Sequence, residues 1–516
     1  MTEGRSTTTR STTTRRGLIA GGVGLGLAGV LAACTGPSPS PSPTRTRTPS
    51  PTPTPSSPTG PDSWDALAAA VSGTLLRSGS NGWDGARVLE NPRYDDADPQ
   101  GILRVANSDD VVAGLAFARN THTPVALRAG GHSYTGWSAG GASGTDVPRS
   151  LVISTQTLDG IDVSGDSVTI GPGAQLGDVY AALAKAGRAI GAGSCPTVGI
   201  GGLTLGGGVG VLVRSFGLTC DQLTGVTVVT ADGAVHEVSA TREPDLFWAC
   251  RGGGGGTVGV VTSMTFRTQD APPVLLFSIV FPWSAARDVV RAWQDWAPKA
   301  DPKLWSTLKL LAGSRHSAPT VTITGTWTGE KSGADTSVDG FIQATGVTPT
   351  SHTATELTYG HAMAQLGGKA QRVSQAATSS IGTVALTDAQ IDVLVQQAAG
   401  AAKVSGVLEG GVALDALGGV VADVGRTDSA FPWRSALCTV QYTAVFQNGA
   451  DPAPFDQYVR GFRDAMAPAW GDGAYANYCD AAITDPAAYF DVNTSRLHRI
   501  AEQADPDGLF AQPNWV

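Results

Sequence analysis

Arg128-Ala129-Gly130-Gly131-His132-Ser133-Tyr134 is the stretch on which the fold turns. The run Pro124-Val125-Ala126-Leu127-Arg128 leads into it and reads as a short buried strand. Paired glycines directly after a strand let successive backbone N–H groups turn toward one point, and such a nest binds phosphate. His132 stands at the end of that turn. A second loop, Gly193-Ser194-Cys195-Pro196-Thr197-Val198-Gly199, continues through Gly201, Gly202 and Gly206 to Gly210. Missing Cβ atoms there let backbone lie against a flat ligand. A third loop opens at Arg251, runs through five glycines and continues as Thr257-Val258-Gly259-Val260-Val261-Thr262.

Three motif matches fall away on context. Gly254 to Gly259 fits G-x-G-x-x-G, but a dinucleotide fingerprint opens a helix and the continuation here is β-branched, hence a strand. Gly136-Trp137-Ser138-Ala139-Gly140 fits the serine-hydrolase elbow but lacks the strand before it and the helix after it. No H-E-x-x-H and no paired C-x-x-C occurs, so no metal site is evident.

The first two glycine loops together resemble the berberine bridge enzyme-like FAD-linked oxidases, which carry the PCMH-type (vanillyl-alcohol-oxidase type) flavin domain. Asn91-Pro92-Arg93-Tyr94, Gly217-Leu218-Thr219-Cys220-Asp221, Asp245-Leu246-Phe247-Trp248, Tyr475-Ala476-Asn477-Tyr478 and Asp505-Pro506-Asp507-Gly508-Leu509-Phe510 extend the likeness from about residue 93 to the C-terminus. The resemblance implies an α+β protein: a two-subdomain FAD-binding domain over 62–271, a substrate domain with an antiparallel sheet backed by helices over 272–470, and a return to the flavin domain over 471–516. It also implies FAD bonded twice, through His132 to the 8α-methyl and through Cys195 to carbon 6. Arg128, Gly130, Gly131, Ser133, Val198, Gly199, Gly201, Gly202, Gly206, Val260 and Asn477 complete the expected cofactor contacts.

On the catalytic side the resemblance implies Tyr478 as the base, with Tyr475 lining the same cleft and Asp415 and Gln441 assisting. A tyrosine serves as base when a cation lowers its pKa or when its proton is relayed onward. Val198 matches a site that controls oxygen access in relatives, where a small side chain goes with oxidase behaviour. The pattern departs from the family at Thr257-Val258, where relatives commonly show Asn-Phe, at Ala413, where a polar residue is expected, and at Cys479-Asp480-Ala481.

Past Pro272, strand-like runs (Val274–Phe281, Thr320–Trp327, Thr439–Phe446) alternate with helical ones (Ala285–Trp296, Asp388–Ala399), which suits a sheet backed by helices. The expected activity is oxidation of an alcohol, a sugar or oligosaccharide first, with oxygen as acceptor and hydrogen peroxide as product. A secondary metabolite as substrate, or a dehydrogenase with another acceptor, are the alternatives.

The N-terminus carries an address. Thr14-Arg15-Arg16-Gly17-Leu18-Ile19, followed by an apolar run to Ala33, resembles a twin-arginine export signal. The run Leu18–Ala33 is shorter than the ~20 residues a spanning helix needs. It ends in Leu31-Ala32-Ala33-Cys34, which resembles a lipobox and implies diacylglycerol on Cys34. Residues 34–61 are rich in Pro, Ser and Thr, with no aromatic side chain, so they form a tether and not a core. At ~3.1 Å per residue this tether reaches roughly 80 Å. The expectation is a protein exported by the twin-arginine route and lipid-anchored on the outer face of a bacterial cell membrane.

Charge and cysteine usage agree with that setting. The net charge of the 516 residues is −9, and residues 1–33 hold four arginines against one glutamate, so the remainder is more acidic still. Such a chain does not rely on a basic surface for nucleic acid. Beyond Cys34 and Cys195, the cysteines at 220, 250, 438 and 479 are either disulfide-paired in an oxidising envelope or buried thiols.

Overall fold

The computed structural model describes residues 60–368 and 371–511; the signal, Cys34 and the tether lie outside the described residues. Four strands come first: β1 (Thr74–Leu76), β2 (Gly101–Arg104), β3 (Val125–Arg128) and β4 (Leu151–Ser154). They form a sheet of order β1-β2-β4-β3 in which β2 and β3 both run parallel to β4. The connection between β2 and β3 is the helix Ser108–Thr121. Asn107 caps it by accepting from the Asp110 N–H at 3.0 Å. Asp110 itself is buried, its carboxylate accepting from the backbone N–H groups of Ser72, Gly73 and Ala106.

Seven strands follow: β5 (Ile161–Ser164), β6 (Ser167–Ile170), β7 (Arg188–Ala189), β8 (Leu223–Val229), β9 (Val235–Val238), β10 (Val260–Arg267) and β11 (Gln269–Asp270). Five make an antiparallel sheet of order β5-β6-β10-β8-β9, and β7 pairs with β11. The third glycine loop thus opens a strand, β10, as its β-branched residues require. Ser138 of the elbow-like motif is buried in a short 3-10 turn.

The last sheet has seven strands: β12 (Val274–Phe281), β13 (Leu304–Ala312), β14 (Thr320–Trp327), β15 (Ser351–Leu357), β16 (Ser374–Gly382), β17 (Val407–Ala416) and β18 (Cys438–Phe446). Their order is β15-β12-β14-β13-β17-β18-β16, and every pair is antiparallel. Apolar side chains of its back face, among them Phe277, Ile279, Leu308, Leu310 and Ile323, pack with Val289, Trp293, Ile391 and Phe462 from the helices Ala286–Trp296, Asp388–Gly400 and Ala453–Trp470. Thr387 and Gln390 close the start of the second of these helices as a reciprocal capping box.

The flavin-side and substrate-side portions share one core, in which Trp305, Tyr359, Leu417 and Phe431 pack with Leu176, Ile200 and Val213. Arg214 ties them: its buried guanidinium donates to the carbonyls of Leu304 (2.6 Å), Pro298 (2.8 Å), Ala300 (2.6 Å) and Leu417. Arg434 and Asp221 form a second tie, a bidentate pair at 2.7 Å on each arm with both side chains nearly inaccessible. At the C-terminus, Leu509 and Ala511 bracket Val125 of β3 through backbone hydrogen bonds. The described cysteines are all free thiols, four of them buried. No helix among the described residues is long and apolar enough to cross a membrane.

Removing one partner of a buried ion pair strands the other charge. Arg434→Met should therefore lower stability by about 3–5 kcal/mol. The double variant Arg434→Met/Asp221→Leu should recover most of that loss in guanidinium unfolding.

Candidate active site

The first two glycine loops meet backbone to backbone. A Cβ on Gly130 would stand 2.7 Å from the Gly199 Cα, and one on Gly199 would stand 2.8 Å from the Gly130 Cα. Both approaches are closer than real Cβ atoms allow, so two glycines are what lets the loops touch. Together they wall a cavity of about 410 Å³ that runs from β3 to the front face of the seven-stranded sheet.

On one wall stand His132 and Cys195, joined through a residue that sequence reasoning quoted without assigning it a role. The Thr197 hydroxyl lies 3.0 Å from His132 Nε2 and 3.5 Å from Cys195 Sγ. It thereby engages Nε2, and His132 as a residue lines the cavity. Burial pulls the His132 pKa down to about 4, against a hydrogen bond to Thr197 that works the other way. At neutral pH the imidazole is uncharged and keeps a lone pair.

The other wall comes from the short turn Ala476–Tyr478 and from β17 and β18. Tyr478 donates to Asp415 Oδ2 at 3.3 Å. Burial lifts the Tyr478 hydroxyl well above its ordinary pKa, and the charge on Asp415 adds to the lift. Asp415 is also raised by burial, opposed by the Thr307 hydroxyl, the Lys309 ammonium and Tyr478. Gln441 donates to Tyr134 Oη at 2.9 Å, and the Tyr134 ring meets that of Tyr478 edge-on at 5.9 Å. Tyr134, two residues beyond His132, was not among the expected catalytic residues. Its hydroxyl is pushed up to about 12 by burial.

Three further expected residues have hydrogen bonds or contacts that define their surroundings. Tyr475 does border the cavity, but its oxygen accepts from the N–H groups of Gly208 (3.0 Å) and Val209 (2.9 Å) and from Asn477 Nδ2 (3.0 Å). It holds the glycine loop in place and is a positioning residue. Arg128 also lines the cavity, and its guanidinium donates to the carbonyls of Ala86 (2.5 Å), Ser138 (2.9 Å) and Ala139 (3.4 Å). Gly206 sits behind the wall, where a Cβ would press on the Asn477 side chain, 2.6 Å from its Cγ. The other expected cofactor contacts, Gly131, Ser133, Val198, Gly201, Gly202, Val260 and Asn477, all line the cavity.

A glycine-walled cavity ending in a neutral histidine and a cysteine, with a tyrosine–carboxylate pair opposite, defines a flavin-dependent oxidoreductase. The residues fit FAD: the cavity is walled by glycine backbone, and two nucleophilic side chains, His132 and Cys195, line it. The family model of the FAD binding domain matches residues 99–239. The FAD-linked oxidoreductase YgaK of Bacillus subtilis is 30% identical over 424 residues, 80% of this chain and 90% of that one. Glucooligosaccharide oxidase of Sarocladium strictum is 29% identical over 482 residues, 87% of this chain and 93% of that one. Its solved structure, from Acremonium strictum, superimposes with a TM-score of 0.76 at 25% identity, covering 87% and 98% of the two chains, and is described with 6-S-cysteinyl, 8α-N1-histidyl FAD. The berberine bridge enzyme-like 1 protein of Physcomitrella patens gives a TM-score of 0.78 at 25% identity with the same coverage. The chain belongs to the berberine bridge enzyme-like FAD-linked oxidoreductases.

The loop contact can be tested directly. Gly130→Ala should yield folded protein with less than about a tenth of the wild-type flavin absorbance, because a methyl there forces the two loops apart.

Proposed function

We propose that this protein oxidises the anomeric carbon of a sugar or oligosaccharide to a lactone, using FAD held through both His132 and Cys195, with oxygen as acceptor and hydrogen peroxide as product. The observation that carries the reading is the Tyr478–Asp415 pair at the sheet end of the cavity, facing the wall that holds His132 and Cys195. Bound FAD supplies the acceptor for the two electrons that leave the substrate carbon. The protein's part is to take the hydroxyl proton.

Among the described residues no cation contacts the Tyr478 hydroxyl, and burial raises its pKa well above its ordinary value. A standing tyrosinate is thereby disfavoured, and a relay remains: Tyr478 receives the substrate proton as it passes its own to Asp415. The raised pKa of Asp415 makes that carboxylate a stronger base than an exposed aspartate. Gln441 and Tyr134 border the same space and orient the sugar hydroxyls.

Covalent attachment through His132 and Cys195 is supported by their common cavity, their shared contact with Thr197 and the flavin of glucooligosaccharide oxidase. Val198 lines the cavity as a small side chain and supports oxygen as acceptor. The N-terminal sequence supports export by the twin-arginine route and a lipid on Cys34, with residues 34–61 as a tether that keeps the cleft clear of the membrane.

Acid precipitation of the purified protein tests the linkage: the yellow colour should stay with the pellet, and His132→Ala/Cys195→Ala should release it. Adding oligosaccharide to the intact enzyme should then give one peroxide per lactone; flavin reduction without peroxide would identify a dehydrogenase.

The relay has a pH signature. Asp415 must be ionised to accept the proton, so kcat should fall as pH drops through its raised pKa and hold above it. Tyr478→Phe should lower kcat by about 10²–10⁴-fold. Asp415→Asn should slow the reaction and abolish the acid limb of the pH–rate profile.

A further inference from the structure

A second cavity of about 280 Å³ adjoins the first and shares Ser194, Trp305, Thr307 and Lys309 with it. Its floor is the front face of the seven-stranded sheet beyond the catalytic strands. The pairing registers put five polar residues in one line across that face: Asp415 beside Thr307, Thr307 beside Thr324, Thr324 beside Ser278, and Ser278 beside Thr353. Directly opposed residues share a face and neighbouring strands lie about 4.8 Å apart. The line is therefore a row of hydroxyls leading away from Asp415 with a repeat close to the length of one pyranose ring.

Two further residues, Trp305 and Lys309, line this trench. The Trp305 indole N–H is buried, borders both cavities and has no hydrogen-bond partner. Lys309, two residues along β13 from Thr307, is exposed in the cleft and forms no hydrogen bond or ion pair among the described residues. Across from it on β17 stands Ala413, whose methyl leaves the ammonium room. The other cation on the cavity walls, Arg128, is turned onto backbone carbonyls.

We propose that the trench over β13, β14, β12 and β15 binds the sugar ring that follows the oxidised one, and that Lys309 makes it selective for a ring carrying a carboxylate, a hexuronic acid residue. The inference rests on the oligosaccharide-oxidase reading above. The carboxylate belongs on the second ring because Asp415, a like charge, sits against the first. With that ring over Thr307 and Thr324, its C6 group lies on the Lys309 side of the row.

Cellobiouronic acid and cellobiose make a matched pair of probes, differing only in the C6 carboxylate of the non-reducing ring. For the holoenzyme, KM for cellobiouronic acid should be about fivefold lower than for cellobiose, the scale of one partly exposed ion pair. The preference should shrink with added salt. Lys309→Met should bring the ratio to about one, whereas Lys309→Arg should keep it. Equal KM values in the wild type, or a preference that survives in Lys309→Met, would overturn the proposal while leaving sugar oxidation intact. Calorimetric titration of both sugars separates the two readings. Lys309-dependent binding of the acidic sugar without turnover of either sugar would sink the oxidase reading and keep the subsite.

Discussion

The meeting of Gly130 and Gly199 sets the geometry of everything downstream. One glycine follows β3 and the other precedes the helix Ile200–Leu205, so the contact locks a parallel sheet to the start of a helix at a separation that side chains would prevent. Because both loops are pinned there, His132, two residues past one glycine, and Cys195, four residues before the other, come to share the hydroxyl of Thr197. A single threonine hydroxyl thus lies within reach of both nucleophilic side chains. Tyr475 supports the loop further along, at Gly208 and Val209. The placement of His132 and Cys195 and the packing of the loops are thus one constraint: a change that loosens the backbone contact moves both side chains together.

The substrate side obeys a different constraint. A sheet of seven antiparallel strands has two faces, and this one sends its apolar residues to the helices and its polar residues to the cleft. Along β14 the sequence Thr320-Val321-Thr322-Ile323-Thr324-Gly325-Thr326 alternates strictly, with Val321 and Ile323 in the core. Threonine satisfies both demands, since its branching suits a strand and its hydroxyl suits a wet face. A face built this way offers hydrogen bonds at strand spacing without added loops. Asp415 and Gln441 are members of the same polar face, placed where the sheet meets the flavin-side wall.

Local signals were legible to the degree that they were local. Val274–Phe281 and Thr320–Trp327 are strands with the bounds that their composition implies, and β18 starts one residue before its expected beginning. The glycine loops and their two nucleophiles could be read because each motif is contiguous. Partnerships across the fold were hidden. Arg434 lies far from Asp221 in sequence, and nothing near either one marks the other as its counter-ion. Arg128 and Tyr475 both stand in recognisable motifs, yet their polar ends point at backbone groups whose positions only the fold determines. The hydroxyl row was hidden for the same reason: its members come from four strands, and only register aligns them.

The electrostatics of Tyr478 and Asp415 explain why the pair is useful even though each group is displaced from its ordinary pKa. Burial penalises charge on both, so the pair resists holding two negative charges at once. A lone buried tyrosine would be a base too costly to deprotonate, and a lone buried aspartate would lie one group short of the substrate. Linked through one hydrogen bond, they keep a single negative charge on Asp415 and move it no farther than one proton shift. Lys309 opposes part of the burial cost on Asp415, while burial and the charge on Asp415 both raise the Tyr478 hydroxyl. In the proposed relay Tyr478 is the conduit and Asp415 the store, and the relay needs no cation beside the tyrosine.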